Sequence, residues 1–215
     1  MKIRRLQVTG TKTSGTAFIE FDDVHVPVSN LIGVEGGGVQ YVMTNFNHER
    51  LIIAIGATRQ ARVALSTAFE YSLKREAFGK TLMDQPVVRH RLAKAGAELE
   101  SMSAWLEQII HQLCFLPREQ ADRELGGLTA MAKARAGIVL NECAQCAILL
   151  HGGNGLTQTG QGEIIESMLM NVLAYDNLPR LFRTYLTNVI QPMQKLIVTY
   201  PESASPGDQR MFFSI

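Results

Sequence analysis

The chain has little of several things, and each scarcity removes a class of function. It has no surplus of either charge: 21 Lys and Arg face 20 Asp and Glu, a formal net charge of +1 over 215 residues. The basic residues are interleaved with acidic ones, so the chain lacks the electrostatic footprint of a nucleic-acid binder. It has no apolar run long enough to span a bilayer, and polar Gln7 and Thr9 follow the basic start Lys2-Ile3-Arg4-Arg5 where a signal peptide would place its apolar core. The expectation is a soluble, intracellular protein. Only three cysteines are present, Cys114, Cys143 and Cys146, too few for a disulfide framework. Cys143 and Cys146 form a Cys-x-x-Cys string inside an apolar stretch of helical spacing. Free cysteine behaves there as a small hydrophobe, and no second Cys or His pair stands at zinc spacing. The histidines are scattered, and no metal site is expected.

What is present is a 46% apolar composition with 19% charged residues, ordinary for a globular fold. Residues 3–9 and 16–21 alternate as two strands of a hairpin, and two strands are marginal without further packing. From Glu35-Gly36-Gly37-Gly38 the pattern turns helical. A first helix is predicted over 39–74, with Val42, Phe46, Ile53, Ile55, Ala57, Ala61, Leu65 and Ala68 near helical spacing. A second covers 85–116, ended by Pro117; a third covers 123–150, ended by Gly152-Gly153; a broken fourth region covers 163–175 and 179–198. The reading is mainly α: residues 1–34 as terminal strands, 35–200 as an antiparallel four-helix bundle, and 201–215 as a mobile polar tail.

Three strings carry the chemistry. Asn45-Phe46-Asn47-His48-Glu49-Arg50 lies early in the first helix. Arg75-Glu76-Ala77-Phe78-Gly79-Lys80 lies at its end, where Arg75 offers a fork for a pyrophosphate, Phe78 an aromatic face and Gly79 a tight turn. His151-Gly152-Gly153-Asn154-Gly155 follows the third helix. In this order and spacing they resemble the carboxy-terminal part of the acyl-CoA dehydrogenase family. Phe21-Asp22-Asp23-Val24-His25-Val26-Pro27 is similar to that family's exit from its β domain, and the upstream domains are then absent from this sequence.

The resemblance implies an FAD-dependent α,β-dehydrogenation of an acyl-CoA thioester to the 2,3-enoyl-CoA, in fatty-acid or secondary-metabolite biosynthesis. It implies that Arg75, Phe78, Gln85, Leu149, Gly152 and Gly153 contact FAD, with Arg75 and Phe78 reaching the flavin of a neighbouring subunit. It also implies that Asn47, His48 and Arg50 meet the substrate. For the base it offers two carboxylates. Asp176 stands 22 residues beyond Asn154, where most of the family carries Glu in a Tyr-Glu-Gly-Thr string. Glu49 stands where the isovaleryl- and long-chain-type branch carries its base, and is favoured. The implied partners are an acyl-CoA, an electron acceptor such as electron-transfer flavoprotein, and further copies of the chain in a homodimer or homotetramer. The alternative is a truncated, non-catalytic homologue that serves as an oligomerisation module.

Overall fold

The computed structural model describes residues 1–8, 14–168 and 172. Strands β1 (Lys2–Arg5) and β2 (Ala17–Glu20) pair antiparallel, with Ile3 opposite Ile19 and Arg4 opposite Phe18. The pair is held by cross-strand contacts: Lys2 to Glu20 at 3.7 Å, and the Arg4 guanidinium 5.7 Å from the Phe18 ring. Neither strand buries a residue.

Helix α1 (Gly38–Lys74) runs 37 residues, roughly 55 Å at 1.5 Å per residue. It contains no proline, and its buried alanines Ala54, Ala57, Ala61, Ala64 and Ala68 recur at alternating steps of three and four. Facing them, α4 (Gly126–His151) buries Ala132, Ala136, Val139, Leu140, Cys143, Ala144 and Ala147. Small side chains on both surfaces let the two backbones approach closely, and the seam forms the middle of the core. Of the residues at helical spacing, Ala57, Ala61 and Ala68 are buried in this seam, whereas Val42, Phe46 and Ile55 are exposed.

Helix α2 (Pro86–Phe115) starts with proline in its first turn, where the missing N–H costs nothing, and contributes Leu92, Leu99, Met102, Leu106 and Ile109 to the core. The pairing of Arg62 with Glu100 (2.6 and 3.1 Å) and Ser103 (2.9 Å) sets α2 against α1. Arg135 with Glu98 sets it against α4, and the Cys143 thiol donates to the Ala95 carbonyl at 3.8 Å. These contacts, with Asn47 near Gly126 at one end and Tyr71 on His151 at the other, make α2 antiparallel to both neighbours. Helices α1 and α4 consequently run parallel, as first and third members of an up-down-up bundle must.

Two local features differ from the sequence reading. Residues 118–124 form a separate short helix, α3 (Arg118–Glu124), and the third long helix begins only at Gly126, where the Gly126-Gly127 pair interrupts the run. Residues 76–81 are a miniature hairpin, β3 (Glu76–Ala77) with β4 (Lys80–Thr81), turning on Phe78-Gly79. Helix resumes at 163–168. The rest of the expected fourth helical region, the tail and the candidate base Asp176 lie outside the described residues.

Candidate functional site

Because α1 and α4 are parallel, their carboxy-terminal ends lie side by side, and a cleft of about 410 Å3 opens between them. It is lined by Thr67, Glu70, Tyr71, Lys74, Arg75, His151 and Gln161. Two helix ends aim their carbonyls at this region, which favours cations there, and Lys74 and Arg75 supply them. Helix α1 stops as Arg75 takes an extended conformation (φ −78°, ψ 122°), with its N–H bonded to the Tyr71 carbonyl at 2.9 Å. The Arg75 carbonyl then accepts from the Leu82 N–H at 2.8 Å, closing the base of the β3–β4 hairpin.

At the hairpin's tip Phe78 and Gly79 both take positive φ, 57° and 77°. That is the geometry of a two-residue hairpin turn with the twist the strands need. Glycine adopts it freely, whereas a phenylalanine there is strained. The ring gains nothing in return within this chain, being 95% exposed. Gln85, half-buried, caps the start of α2 just beyond the hairpin.

Helix α4 ends as Gly152 turns to φ 59°, and residues 152–156 form a single 3-10 turn. Gly152, Gly153 and Asn154 are exposed, while the Gly152 N–H is already bonded to the Ile148 carbonyl. Gly162 is a residue that sequence reasoning passed over. A Cβ there would stand 1.6 Å from the Asn154 carbonyl oxygen, so only glycine fits beneath the loop. The structure thus brings Arg75 and His151, the residue that leads into the glycine loop, to one cleft. Leu149, 60% exposed, instead lines a neighbouring groove of about 280 Å3 between α2 and α4, with Arg91, Lys94, Gln145 and Cys146.

The other string lies at the opposite end of α1. Glu49 is exposed, and its carboxylate accepts a hydrogen bond from the Asn45 amide at 2.8 Å. His48 is also exposed, its Nδ1 3.3 Å from the Thr44 carbonyl. Arg50, one position on, turns inward and is only 7% exposed; it donates to the Asn47 side chain at 3.3 Å and sits 5.8 Å from the Phe46 ring. Lys133 of α4 is buried nearby; burial first, and the Arg50 charge second, push its pKa down to about 8. Asn47 and His48 border a crevice of only about 10 Å3, room for a water molecule at most.

Glu49 and Arg75 are 26 positions apart on one continuous helix, which places them roughly 39 Å apart. No single ligand-sized site within the chain holds both. Among the described residues, no group of His, Cys, Asp and Glu could hold a metal ion, and no helix is long and apolar enough to cross a membrane.

Fold and cleft together define a helical-bundle domain with an open cleft at the carboxy-terminal ends of α1 and α4. The chain belongs to the acyl-CoA dehydrogenase family. The family's carboxy-terminal domain, described as "Acyl-CoA dehydrogenase, C-terminal domain", matches residues 36–177. Acyl-CoA dehydrogenase apdG of Emericella nidulans is 68% identical over 170 residues, 79% of this chain and 39% of that protein. The long-chain specific mitochondrial enzyme of Sus scrofa is 32% identical over 155 residues, 72% of this chain and 35% of that protein. The chain therefore spans little more than a third of the length of these relatives. Among solved structures, acyl-CoA dehydrogenase from Geobacillus kaustophilus superposes with a TM-score of 0.72 at 27% identity, covering 87% of this chain and 48% of that one.

Proposed function

We propose that this chain is the helical part of an FAD-dependent acyl-CoA dehydrogenase that converts an acyl-CoA thioester to its 2,3-enoyl-CoA. The observation that carries the reading is the placement of the two functional strings at opposite ends of α1, roughly 39 Å apart. Such a chain contributes Glu49 to one site and Arg75 with Phe78 to another, and each site is completed by a second copy. The strained, 95% exposed Phe78 ring supports this, since a conformation that costs stability and leaves the ring almost wholly exposed is suited to contact with a second copy.

The residues fit the cofactor. Arg75 and Lys74 offer charge-assisted donors to a pyrophosphate, the exposed backbone of Gly152–Asn154 lets it approach closely, and Phe78 offers an aromatic face. Gln85 and Leu149 flank this end of the bundle as further contacts. When bound, FAD supplies the hydride acceptor for the substrate's β-carbon. Glu49 removes the α-proton, with its carboxylate aimed by the Asn45 amide; Asp176 is the second candidate for that role. Asn47, His48 and Arg50 are the residues of the same string assigned to the substrate, His48 exposed and Arg50 turned inward onto Asn47. An electron acceptor such as electron-transfer flavoprotein completes the turnover, and the active assembly is a homodimer or homotetramer.

The test is direct. The purified protein should be yellow and should reduce a dye acceptor when given an acyl-CoA; a colourless protein that takes up no added FAD sinks the reading for this chain. Glu49→Gln should abolish turnover while Asp176→Asn spares it, and the opposite result would transfer the role of base to Asp176.

A further inference from the structure

The glycine loop poses a physical question of its own. Gly152, Gly153 and Gly155 carry the largest conformational freedom of any residues, so a loop built from them needs restraint before it can present a defined surface. The structure supplies that restraint chiefly through Tyr71. Its ring stacks on His151, with centroids 4.2 Å apart and planes 21° from parallel. Its hydroxyl accepts a hydrogen bond from the Asn154 amide at 3.3 Å, across 83 positions of sequence. His151 is itself fixed: its Nδ1 lies 2.8 Å from the Ala147 carbonyl, which can only accept, so that nitrogen carries the proton. The far side of the loop is closed by the Thr157 N–H, 3.2 Å from the Asn154 carbonyl, and by Gly162 beneath it.

Tyr71 is also tied to the other half of the cleft. It lies one helical turn before Arg75 and accepts that residue's N–H through its own carbonyl. We infer that Tyr71 is a positioning residue, which locks the Gly152–Gly155 loop at a set distance from Arg75. The exposed turn at Gly152–Asn154 and the guanidinium then meet an anionic nucleotide ligand as one preformed surface. Preorganisation of this kind raises affinity by removing the ordering cost that binding would otherwise bear. The inference rests on the flavin reading for its ligand, and on the geometry alone for the lock.

The experiment is a double-mutant cycle on the full chain: Tyr71→Phe, which keeps the stack and removes the hydroxyl, Asn154→Ala, and the two combined. Amide hydrogen exchange over 152–157 and FAD titration followed by flavin fluorescence are read on each, with the melting temperature as control. Each single change should speed exchange of the loop amides and weaken FAD binding by roughly two- to tenfold, the range for one net hydrogen bond. The double variant should be no worse than either single one. Tyr71→Leu, which also removes the stack, should be weaker still. Additive effects, or loop exchange unchanged in Tyr71→Phe, would overturn the lock. A wild-type chain that binds no FAD refutes the flavin reading separately, and the exchange data then decide the lock by themselves. Weakened FAD binding that only tracks a fall in melting temperature would assign Tyr71 to general stability and overturn its positioning role.

Discussion

Replacing Phe78 should stabilise the protein while damaging its site. Phe78 holds φ 57°, a left-handed conformation that costs an L-residue about 1–2 kcal/mol. In a buried residue, packing could offset such a cost, but this ring is 95% exposed. Phe78→Asn would give the turn an Asn-Gly sequence, the pair best suited to a two-residue hairpin, without the extra unfolded-state freedom that glycine brings. The expected gain is about 1 kcal/mol, or a rise in melting temperature of about 2–4 °C for a chain of this size. Phe78→Gly should gain less, because about 0.4–1 kcal/mol of unfolded-state entropy works against it. Phe78→Ala keeps a Cβ in the strained region and should melt with the wild type. Urea and thermal denaturation of the four proteins, at one protein concentration and without FAD, give the ranking. FAD titration should move the opposite way, with all three variants binding up to about tenfold more weakly for want of an aromatic contact. An Asn variant no more stable than the Ala variant would show that the turn stores no strain, and the argument for an outward-facing Phe78 would go with it.

Four other expectations follow from the packing. Burial pushes the Cys143 thiol up to about 12 and raises Cys146 as well, while Cys114 is exposed; a thiol reagent at pH 8 should label Cys114 promptly and the other two only on unfolding. Since the folded-state pKa of Cys143 lies above its unfolded value near 9, its contribution is intact below pH 9 and declines as pH rises toward 12. Measured against Cys143→Ala, the wild type should lose about 1.4 kcal/mol per pH unit above 9, and parallel stability curves for the two proteins would refute this. Gly162→Ala would drive a Cβ into the Asn154 carbonyl, so it should disorder the 152–157 loop and abolish FAD binding; retained binding would mean that the loop can move aside. Ala61→Leu inserts three carbons at a fully buried position of the α1–α4 seam, and a loss of about 1–3 kcal/mol or more in denaturation is expected.

The long helices were legible in the sequence because periodicity over thirty residues leaves little choice: 39–74 and 85–116 were expected, Gly38–Lys74 and Pro86–Phe115 are found. Short elements were not. The β3–β4 hairpin has two residues per strand, too few to show alternation, and Phe78-Gly79 does not read as a hairpin turn because its first residue is the wrong type for one. Within α1 the periodicity marks both buried Ala57, Ala61 and Ala68 and exposed Val42, Phe46 and Ile55, since alanine carries a weak hydrophobic signal and derives its place from the small residues opposite it on α4. For the site, the strings holding Arg75 and His151 are recognisable locally, and the structure brings those two residues to one cleft. Tyr71 with His151 and Asn154, and Gly162 with the Asn154 carbonyl, were invisible, because each depends on a contact formed only by the fold.

The length of α1 has a genetic consequence. If each helix lends its two ends to two different sites, a chain carrying Glu49→Gln spoils one site and a chain carrying Arg75→Ala spoils the other. Two such chains, each inactive as a homodimer, would pair to give one site with both lesions and one with neither. Equal co-expression should then restore about a quarter of the wild-type activity, the share expected when half the dimers are hybrids with one intact site apiece. Inheritance of one copy of each allele would be milder than inheritance of two copies of either, an outcome written into the geometry of a single long helix.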